Sequence, residues 1–359
     1  YIEAGNHSYP IIINHLLDSL SDSMKEIGLL PRKICIVTDT NVDPLYGESV
    51  KKHLSTICED VIKYVIPAGE ASKHLNTVEK IYDFCLTHQL DRQSAIVALG
   101  GGVVGDIGGF VASTYMRGIG FIQIPTTLLA QNDSSVGGKV GVDFKKHKNI
   151  IGSFYQPQMV YMSTATLSTL SKRDFSSGMA EIIKHGLIRD QSFYTYLKDH
   201  ADQIKLVEHK QVTYMNATSC QIKGDVVKQD EKEGSIRKIL NFGHTIGHAI
   251  ETLSDFRYLH GEAVALGIVA ASYISLKRAL ITRYEFNSII EILKLYNLPT
   301  TLSTLLAEDI YQQLFYDKKV FKGAVVFILL NGIGDCIDVN NVTKEEVLNS
   351  IGYLQKGDL

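Results

Sequence analysis

The chain has 359 residues, of which 45% are hydrophobic and 21% are charged. This composition is typical of a globular protein and excludes a disordered or fibrous one. The net charge of −3 at pH 7 does not indicate nucleic-acid binding, so an anionic ligand would have to be attracted by a local cluster of cations. The length favours two domains.

Neither a membrane span nor a disulfide framework is indicated. The longest apolar runs, 263–271 and 324–330, are far too short to span a bilayer, and no secretory signal is visible in the opening residues. The cysteines are scattered without a CxxC pair, which favours a reduced cytoplasm over disulfides or a cysteine metal site. We therefore expect a cytoplasmic protein without a membrane partner. The cysteines are Cys35, Cys58, Cys85, Cys220 and Cys336.

The first half of the chain alternates strand-like and helical segments. Apolar β-branched runs at 33–38, 61–66, 94–99 and 120–124 have the length of buried strands, and helical stretches such as 77–88 lie between them. This pattern predicts an α/β fold with a Rossmann-like, mostly parallel sheet covered by helices. We expect this domain to span residues 1–160.

From about residue 164 the pattern changes to long helical segments. A short strand-like run at 324–330 comes late in the chain. We therefore expect a mainly α-helical domain at 161–359. The predicted helices are 178–188, 211–229, 243–253, 261–279 and 285–296.

A glycine loop follows the third predicted strand. Gly100, Gly102 and Gly105 match the GxGxxG spacing, which lets the backbone approach a pyrophosphate at a helix N-terminus. The loop departs from the usual fingerprint because it has no acid about 20 positions later. A tight strand-to-helix turn is the alternative interpretation. Asp39, at the end of the first predicted strand, could instead bind a ribose.

A second glycine pair and several lysines come next. Gly137 and Gly138 precede Lys139, which indicates close backbone approach to a ligand beside a positive charge. Lys148 and Asn149, which are flanked by apolar residues, are further candidates for phosphate contact. The lysines at 145 and 146 are expected to be solvated.

The helical half contains a candidate metal site. His244 and His248 are four residues apart and share a helix face, while His260 follows a break in the helical pattern. Glu181 and Lys184, three apart, also share a face. One carboxylate with two imidazoles is typical of catalytic zinc with open positions. The alternatives are ordinary helix histidines and a surface ion pair.

Two further cations flank an acidic loop. Lys223 and Arg237 lie on either side of the acids at 230–233, shortly before Asn241. Two cations so close in sequence to the metal candidates suggest a bound carboxylate or phosphate.

Seven sequence blocks together resemble the 3-dehydroquinate synthase family of sugar-phosphate cyclases. The resemblance runs from Lys33 to about Asp338. The blocks are GGGVVGD, MRG, PTTLLAQNDSSVGGK, KNIIGSFYQP, GMAEIIKHG, LNFGHTIGH and LHGEAVALG.

The resemblance implies an activity and its cofactors. It implies conversion of 3-deoxy-D-arabino-heptulosonate 7-phosphate to 3-dehydroquinate and phosphate, in the shikimate pathway to chorismate and the aromatic amino acids. It also implies NAD, one divalent metal (zinc or cobalt) and a homodimer in which Arg117 reaches the neighbouring subunit's site.

The same resemblance implies residue roles. The implied metal ligands are Glu181, His244 and His260. The implied NAD contacts are Asp39, Glu70, Lys73, Gly101, Gly102, Val103, Val104, Gly105, Asp106, Thr126, Thr127, Leu129, Asp133, Lys139, Lys148, Thr166, Thr169, Leu170 and Asp174, of which Asp174 departs from the family pattern. The implied substrate and catalytic residues are Arg117, Asp133, Lys139, Asn149, Lys184, Lys223, Arg237, Asn241, His248 and Lys318.

Four alternatives remain. A sister cyclase of the 2-deoxy-scyllo-inosose synthase type would use glucose 6-phosphate, which has no carboxylate for Lys223 and Arg237 to bind. A metal-dependent polyol dehydrogenase would not need the phosphate-binding lysines. A metallohydrolase would leave the glycine loop unexplained, and HExxH is absent. A non-catalytic NAD-binding protein would have no use for an open metal site.

Overall fold

The computed structural model describes residues 1–5, 7–145, 147–231, 234–255, 257–303, 305–315 and 325–356. Lys318, one of the predicted substrate contacts, lies outside these residues. Within them, no helix combines the length and the apolar character needed to cross a membrane.

The described segments form strands and helices along the whole chain. The strands are β1 (Ile2–Ala4), β2 (His7–Tyr9), β3 (Ile11–Asn14), β4 (Lys33–Asp39), β5 (Asp60–Ile66), β6 (Ala95–Gly100), β7 (Gly120–Pro125), β8 (Lys139–Phe144), β9 (His147–Phe154), β10 (Met159–Ser163), β11 (Phe327–Leu330) and β12 (Cys336–Val339). The helices are α1 (Leu20–Glu26), α2 (Glu48–Leu54), α3 (Leu75–Thr87), α4 (Gly102–Thr114), α5 (Lys172–Arg189), α6 (Gln191–Asp199), α7 (Ala201–Lys205), α8 (His209–Gln229), α9 (His244–Leu253), α10 (His260–Lys277), α11 (Arg283–Leu295), α12 (Ala307–Gln313) and α13 (Lys344–Lys356).

The chain divides into two compact units. Unit 1 contains Tyr1–Leu170 and Val212–Lys228, and unit 2 contains Ser171–Gln211 and Gln229–Leu359. This division differs from the predicted one, which separates residues 1–160 from 161–359. The difference arises because β10 belongs to the sheet of unit 1, and because buried amides join α8 to the same unit.

The buried amides form a chain of hydrogen bonds. Asn216, on α8, donates to Gln131 Oε1 (2.8 Å) and accepts from Asn132 (2.9 Å). Gln131 in turn donates to the carbonyl of Ser163 (3.1 Å), at the end of β10. Because polar groups buried in the core must be paired, these contacts fix α8 to unit 1.

The sheet of unit 1 has the strand order β3-β10-β7-β6-β4-β5, and every pair in it is parallel. The four predicted strands are confirmed to within one residue at each end. β3 and β10 were missed because β3 has only four residues and all five residues of β10 are buried, which removes the alternation that identifies a half-exposed strand.

Both faces of the sheet are buried. Alternate residues of β4 belong to different apolar clusters: Ile34 and Ile36 pack with α1 and α2, whereas Cys35 and Val37 pack with α3 and α4. A strand that is covered on both faces has apolar residues at consecutive positions. This explains why apolar and polar residues do not alternate in the β4 sequence.

The strand order reverses next to β4. The chain passes from β4 to β5 on one side, and then returns to add β6, β7 and β10 on the other side. In such sheets the crevice at the carboxyl ends of the two strands at the reversal is the usual ligand site. Here those ends carry Asp39, after β4, and the glycine loop, after β6.

The segment between Lys139 and Phe154 forms an antiparallel hairpin, β8–β9. Lys139 therefore begins a strand, and both Lys148 and Asn149 lie within one. Lys145, expected to be solvated, is exposed in the connecting turn at a φ of +55°. Lys146 lies outside the described residues.

Unit 2 is mainly helical, as predicted, with one described hairpin, β11–β12. Its central element is α10, in which every residue of 263–271 is buried. A helix buried on all sides must be surrounded by other elements, and α10 contacts α5, α9, α11, α13 and β11. Helix α5 begins earlier than predicted, because Ser171 accepts a hydrogen bond from the amide of Asp174 and caps the polar first turn.

We expect Asn216→Leu to destabilise the protein. Leucine would leave Gln131 Oε1 and the Asn132 amide without their observed partner, and an unsatisfied buried polar group costs about 1–3 kcal/mol. Calorimetry should therefore show a lower unfolding temperature. The exposed Asn287 provides the control substitution, Asn287→Leu. Equal unfolding temperatures for the two variants would contradict a stabilising role for the amide chain.

Candidate active-site residues

Three helices of unit 2 bring the predicted metal ligands together. Glu181 lies on α5, His244 begins α9 and His260 begins α10. Both imidazole Nε2 atoms lie 3.3 Å from Glu181 Oε1. The carboxylate is completely buried, so the three predicted ligands converge on one buried point.

Two glycines make this convergence possible. Gly243, directly before α9, has a φ of +78°, a conformation that glycine adopts without strain. Gly261 lies so close to α5 that an added Cβ would be 1.8 Å from the carbonyl oxygen of Ser177. Any larger residue at 261 would move the first turn of α10, and His260 with it, away from Glu181.

The other nitrogen of each imidazole is held by unit 2 itself. His244 Nδ1 lies 3.1 Å from the carbonyl oxygen of Phe242, and His260 Nδ1 lies 3.4 Å from Glu251 Oε2. Such outer contacts orient metal-binding histidines and leave Nε2 available for the metal. Glu251 was not predicted, although it shares the helix face of His244 and His248, and this spacing was the signal that could have identified it.

Glu181 is charged despite its burial. Burial opposes ionisation, but Lys184 and His244 hold the pKa of this carboxyl well below its ordinary value. Lys184 is also buried; it contacts Glu181 Oε2 and donates to the carbonyl of Leu240 (2.8 Å). The alternative interpretation of Glu181 and Lys184 as a surface ion pair does not hold, because both side chains are buried.

The two histidines have opposite protonation preferences. Burial lowers the pKa of His244 to about 4. Burial acts in the same direction on His260, but the carboxylates of Glu181 and Glu251 outweigh it and raise the pKa of that ring to about 10. Near neutral pH, His244 is therefore neutral and His260 carries a proton.

The residues fit a divalent metal. Glu181 Oε1 is buried, and no hydrogen bond from the described residues reaches it, although two imidazole nitrogens lie 3.3 Å away. One carboxylate oxygen and two imidazole nitrogens match the donor set of catalytic zinc. His248 lies in the same cluster: the ligand nitrogens of His244, His248 and His260 lie within 4.8 Å of one another. The structure thus brings His248, a predicted substrate contact, beside the metal candidates.

Most predicted NAD contacts of unit 1 lie at or after the carboxyl ends of its sheet strands, whereas Lys139 and Lys148 lie on the β8–β9 hairpin. Gly101 precedes α4, which begins at Gly102, so the glycine loop is both a tight turn and a helix start. The contacts at the sheet edge lie at or after the ends of β4 (Asp39), β5 (Glu70, Lys73), β6 (Gly101, Gly102, Val103, Val104, Gly105, Asp106), β7 (Thr126, Thr127, Leu129, Asp133) and β10 (Thr166, Thr169, Leu170).

An ion pair between a buried lysine and a partly exposed aspartate lies beside the glycine loop. Lys73 Nζ is 2.6 Å from Asp106 Oδ2. Burial raises the pKa of Asp106 to about 6, against the opposing effect of Lys73. The pKa of Lys73 is itself raised, because Asp106 and Glu70 outweigh the effect of burial. The pair fixes the segment after β5 against the first turns of α4.

Several other predicted NAD contacts are held by neighbouring groups of unit 1. Thr126 and Thr166 are buried, whereas Leu129 and Leu170 are partly exposed. Asp174 lies in unit 2, in the first turn of α5, where its backbone amide donates to the capping hydroxyl of Ser171. Other predicted NAD contacts are held by a hydrogen bond or an ion pair. Asp39 Oδ1 accepts from the amide of Asn41 (2.8 Å), Lys148 Nζ lies 3.8 Å from Glu70 Oε1, and the hydroxyls of Thr169 and Tyr46 lie 2.7 Å apart.

The predicted substrate residues are distributed over both units. Lys223 is buried in unit 1, where its Nζ lies 2.5 Å from Asp133 Oδ1. Arg237 is buried in unit 2, and its backbone amide donates to Asp230 (3.1 Å). The others are Arg117 (exposed, φ +67°), Lys139 and Asn149 (both exposed on the β8–β9 hairpin) and Asn241 (end of the turn Ile236–Asn241).

Comparisons of the sequence with known proteins point to one enzyme family over nearly the whole chain. Two family models match: 3-dehydroquinate synthase N-terminal over residues 63–177 and 3-dehydroquinate synthase C-terminal over residues 178–320. A 3-dehydroquinate synthase of Desulforamulus reducens is 46% identical over 350 residues, which cover 97% of each chain.

Two solved structures are also similar. A 2-epi-5-epi-valiolone synthase from Streptomyces hygroscopicus subsp. jinggangensis, with NAD⁺ and Zn²⁺ bound, has a TM-score of 0.88 and 28% identity over 99% of both chains. A 2-deoxy-scyllo-inosose synthase complexed with carbaglucose-6-phosphate, NAD⁺ and Co²⁺ has a TM-score of 0.89 and 25% identity over 98% of both chains.

We expect zinc binding to release one proton near neutral pH. A metal ligand must be deprotonated; His244 already is, whereas His260, with a pKa of about 10, is not. Zinc affinity should therefore increase as the pH rises towards that value. Calorimetric titration in buffers of different ionisation enthalpy measures the released proton.

The matched variant for this experiment is Glu251→Gln. It removes one of the two carboxylates that raise the pKa of His260, so the proton release should disappear at a lower pH than in the unaltered protein. Zinc binding to the unaltered protein without proton release would contradict the charged state assigned to His260.

Proposed function

The chain belongs to the 3-dehydroquinate synthase family, and from this premise we propose that it converts 3-deoxy-D-arabino-heptulosonate 7-phosphate to 3-dehydroquinate and phosphate. It is a phosphate-eliminating carbon–oxygen lyase that acts in the cytoplasm, in the shikimate pathway. The observation that carries the proposal is the buried Glu181, with two imidazole nitrogens 3.3 Å from one oxygen and Lys184 on the other.

Both cofactors of the family have candidate residues in this chain. Glu181, His244 and His260 would hold one divalent metal, zinc or cobalt, and the residues at the carboxyl edge of the sheet would hold NAD. When bound, the metal supplies a Lewis acid, and NAD supplies a hydride acceptor that is restored in each turnover.

The buried cations of unit 2 would bind and orient the substrate. Lys184 keeps its ammonium beside the metal ligands through Glu181 and the carbonyl of Leu240, so it would stabilise negative charge on a substrate oxygen. Arg237 would bind the substrate carboxylate, since a guanidinium forms two parallel hydrogen bonds with that group. His248 would donate a hydrogen bond to the phosphate.

The residues of unit 1 would bind the remaining anionic groups. Asp133 holds the ammonium of Lys223 in place, and Lys139 and Asn149 would contact the phosphate. Lys318 is assigned to the substrate by resemblance alone. Contacts at several ends of one molecule would hold it in a reactive geometry throughout the sequence of steps.

The chemistry within the substrate needs few protein groups. A transient ketone acidifies the neighbouring carbon–hydrogen bond, so the carbon–oxygen bond to phosphate breaks as that proton is lost. The substrate's own phosphate would accept the proton, and after re-reduction and ring opening an intramolecular aldol reaction closes the carbocycle. The main tasks of the protein are therefore to hold charge and to orient the substrate.

We expect phosphate release without accumulation of NADH. Product and substrate stand at the same overall oxidation level, so the hydride removed early must be returned. With the heptulosonate phosphate, zinc and NAD, phosphate should increase steadily while the absorbance of free NADH stays flat. A metal-dependent dehydrogenase would release one NADH for each substrate molecule consumed, and that result would contradict the proposal.

The proposal includes a homodimer in which Arg117 contributes to the partner's site. Arg117 is exposed at a φ of +67°, on a turn that presents it to the surface. Inactive Arg117→Ala and Lys139→Ala chains should recover part of the activity when they are mixed and exchange subunits, because one hybrid site is then intact. If subunit exchange occurs without recovery, Arg117 acts within its own subunit.

A further inference from the structure

The start of α10 contacts α5 at three regularly spaced positions. Glu181 lies four residues after Ser177 on α5, so both side chains share a helix face. Glu181 faces His260 at 3.3 Å, and the Ser177 hydroxyl accepts a hydrogen bond from the amide of Gly261 (3.0 Å). The position four residues before Ser177 is Arg173, which faces Glu262. The consecutive residues His260, Gly261 and Glu262 of α10 thus contact Glu181, Ser177 and Arg173 of α5, which are spaced four residues apart and run in the opposite direction.

The outermost of these contacts is a two-point ion pair. Arg173 Nε lies 2.7 Å from Glu262 Oε1, and its second terminal nitrogen lies 2.7 Å from Oε2. Arg173 also donates to the carbonyl of Arg257 (2.8 Å), just before α10. Planar guanidinium–carboxylate pairs of this kind fix orientation as well as distance.

Glu262 has a second partner at the helix start. Its Oε2 accepts a hydrogen bond from the amide of Leu259 (2.8 Å), the residue before His260. A leucine side chain has no acceptor for the free amides of the first turn, so two other side chains cap this helix start: the Ser177 hydroxyl at the amide of Gly261 and Glu262 at the amide of Leu259. The Glu262 carboxylate therefore joins the chain before His260 to Arg173.

We propose that Arg173 is a positioning residue for the metal centre: through Glu262 it fixes the first turn of α10, and with it the distance between His260 Nε2 and Glu181. This proposal rests on the proposed function, because it requires that His260 binds the metal. Arg173 lies two helical turns from Glu181 and touches neither the predicted ligands nor the predicted substrate residues in any described contact. Its effect would be to preorganise the ligands.

The chain contains a matched pair that carries no site residue. Arg278 binds both oxygens of Glu346 (2.6 and 2.8 Å) and also donates to a backbone carbonyl, that of Asn341. Glu346 accepts from the amide of Thr343 (2.8 Å) at the start of α13, as Glu262 does at the start of α10. Arg278 follows the last residue of α10, so Arg278→Ala removes the same type of contact at the end of α10 opposite to His260 and at the start of α13, which bears no predicted ligand.

The experiment compares Arg173→Ala with Arg278→Ala in the full-length chain. Co²⁺ is titrated into the metal-free protein in competition with a chelator, and its visible absorption reports both affinity and ligand geometry. The unfolding temperature of each metal-free variant measures the loss of stability. Wild-type protein is titrated first, and if it binds no metal, the proposed function itself fails.

We expect Arg173→Ala to bind Co²⁺ more weakly by up to about tenfold, the lower end of the loss when a direct outer contact of a ligand is removed, and to change the absorption spectrum. Arg278→Ala should bind Co²⁺ with wild-type affinity and spectrum, although it lowers the unfolding temperature. Unchanged affinity and spectrum in Arg173→Ala would overturn the proposal. Equal weakening in both variants would also overturn it, because the effect would then be general destabilisation.

A second variant covers the case in which Arg173→Ala does not fold. Glu262→Gln retains an oxygen that can accept from Leu259 but loses the charge that Arg173 binds. It should weaken Co²⁺ binding in the same direction, and by less. Wild-type affinity and spectrum in Glu262→Gln would exclude the Arg173–Glu262 pair as a positioning device.

Discussion

The buried carboxylate of Glu181 is the constraint on which unit 2 depends. An ionised carboxylate without solvent exposure is stable only when charges and hydrogen-bond donors compensate for its lost hydration. Lys184 contacts one oxygen, while His244 and His260 approach the other at 3.3 Å. Helices α5, α9 and α10 must therefore meet at this point, and the close approach of Gly261 to Ser177 is a consequence.

The same constraint explains why the site is suited to bind a metal. Burial lowers the pKa of His244, and carboxylates raise that of His260, so the metal-free site holds one extra proton beside a carboxylate oxygen that has no hydrogen bond among the described residues. A divalent cation replaces that proton and satisfies the oxygen. The proposed chemistry also needs NAD and cations that hold the substrate anions, and Lys184 is one buried cation that the structure keeps beside the metal candidates.

Much of the fold and of the site could be predicted from the sequence. The strands β4 to β7 and most long helices follow from apolar runs and periodicity. Ligand chemistry made Glu181, His244 and His260 candidates for a metal site, and the family resemblance selected these three. The place of α8 in unit 1 could not be predicted, because it depends on Asn216 and Gln131, amides far apart in the sequence. The pairing of Lys223 with Asp133, and of Arg173 with Glu262, is likewise a long-range polar contact without a periodic signal.

Anomalous diffraction at the zinc absorption edge, on crystals of the zinc-loaded protein, tests the central claim most directly. The account predicts one peak, bonded to Glu181 and to the Nε2 atoms of His244 and His260 at about 2.0–2.2 Å, with Lys184 still on the second oxygen of Glu181. The cluster of His244, His248 and His260 offers a different site that shares two of these ligands. A zinc peak bonded to His248, with Glu181 uncoordinated, would contradict the claim that the buried carboxylate organises the metal centre.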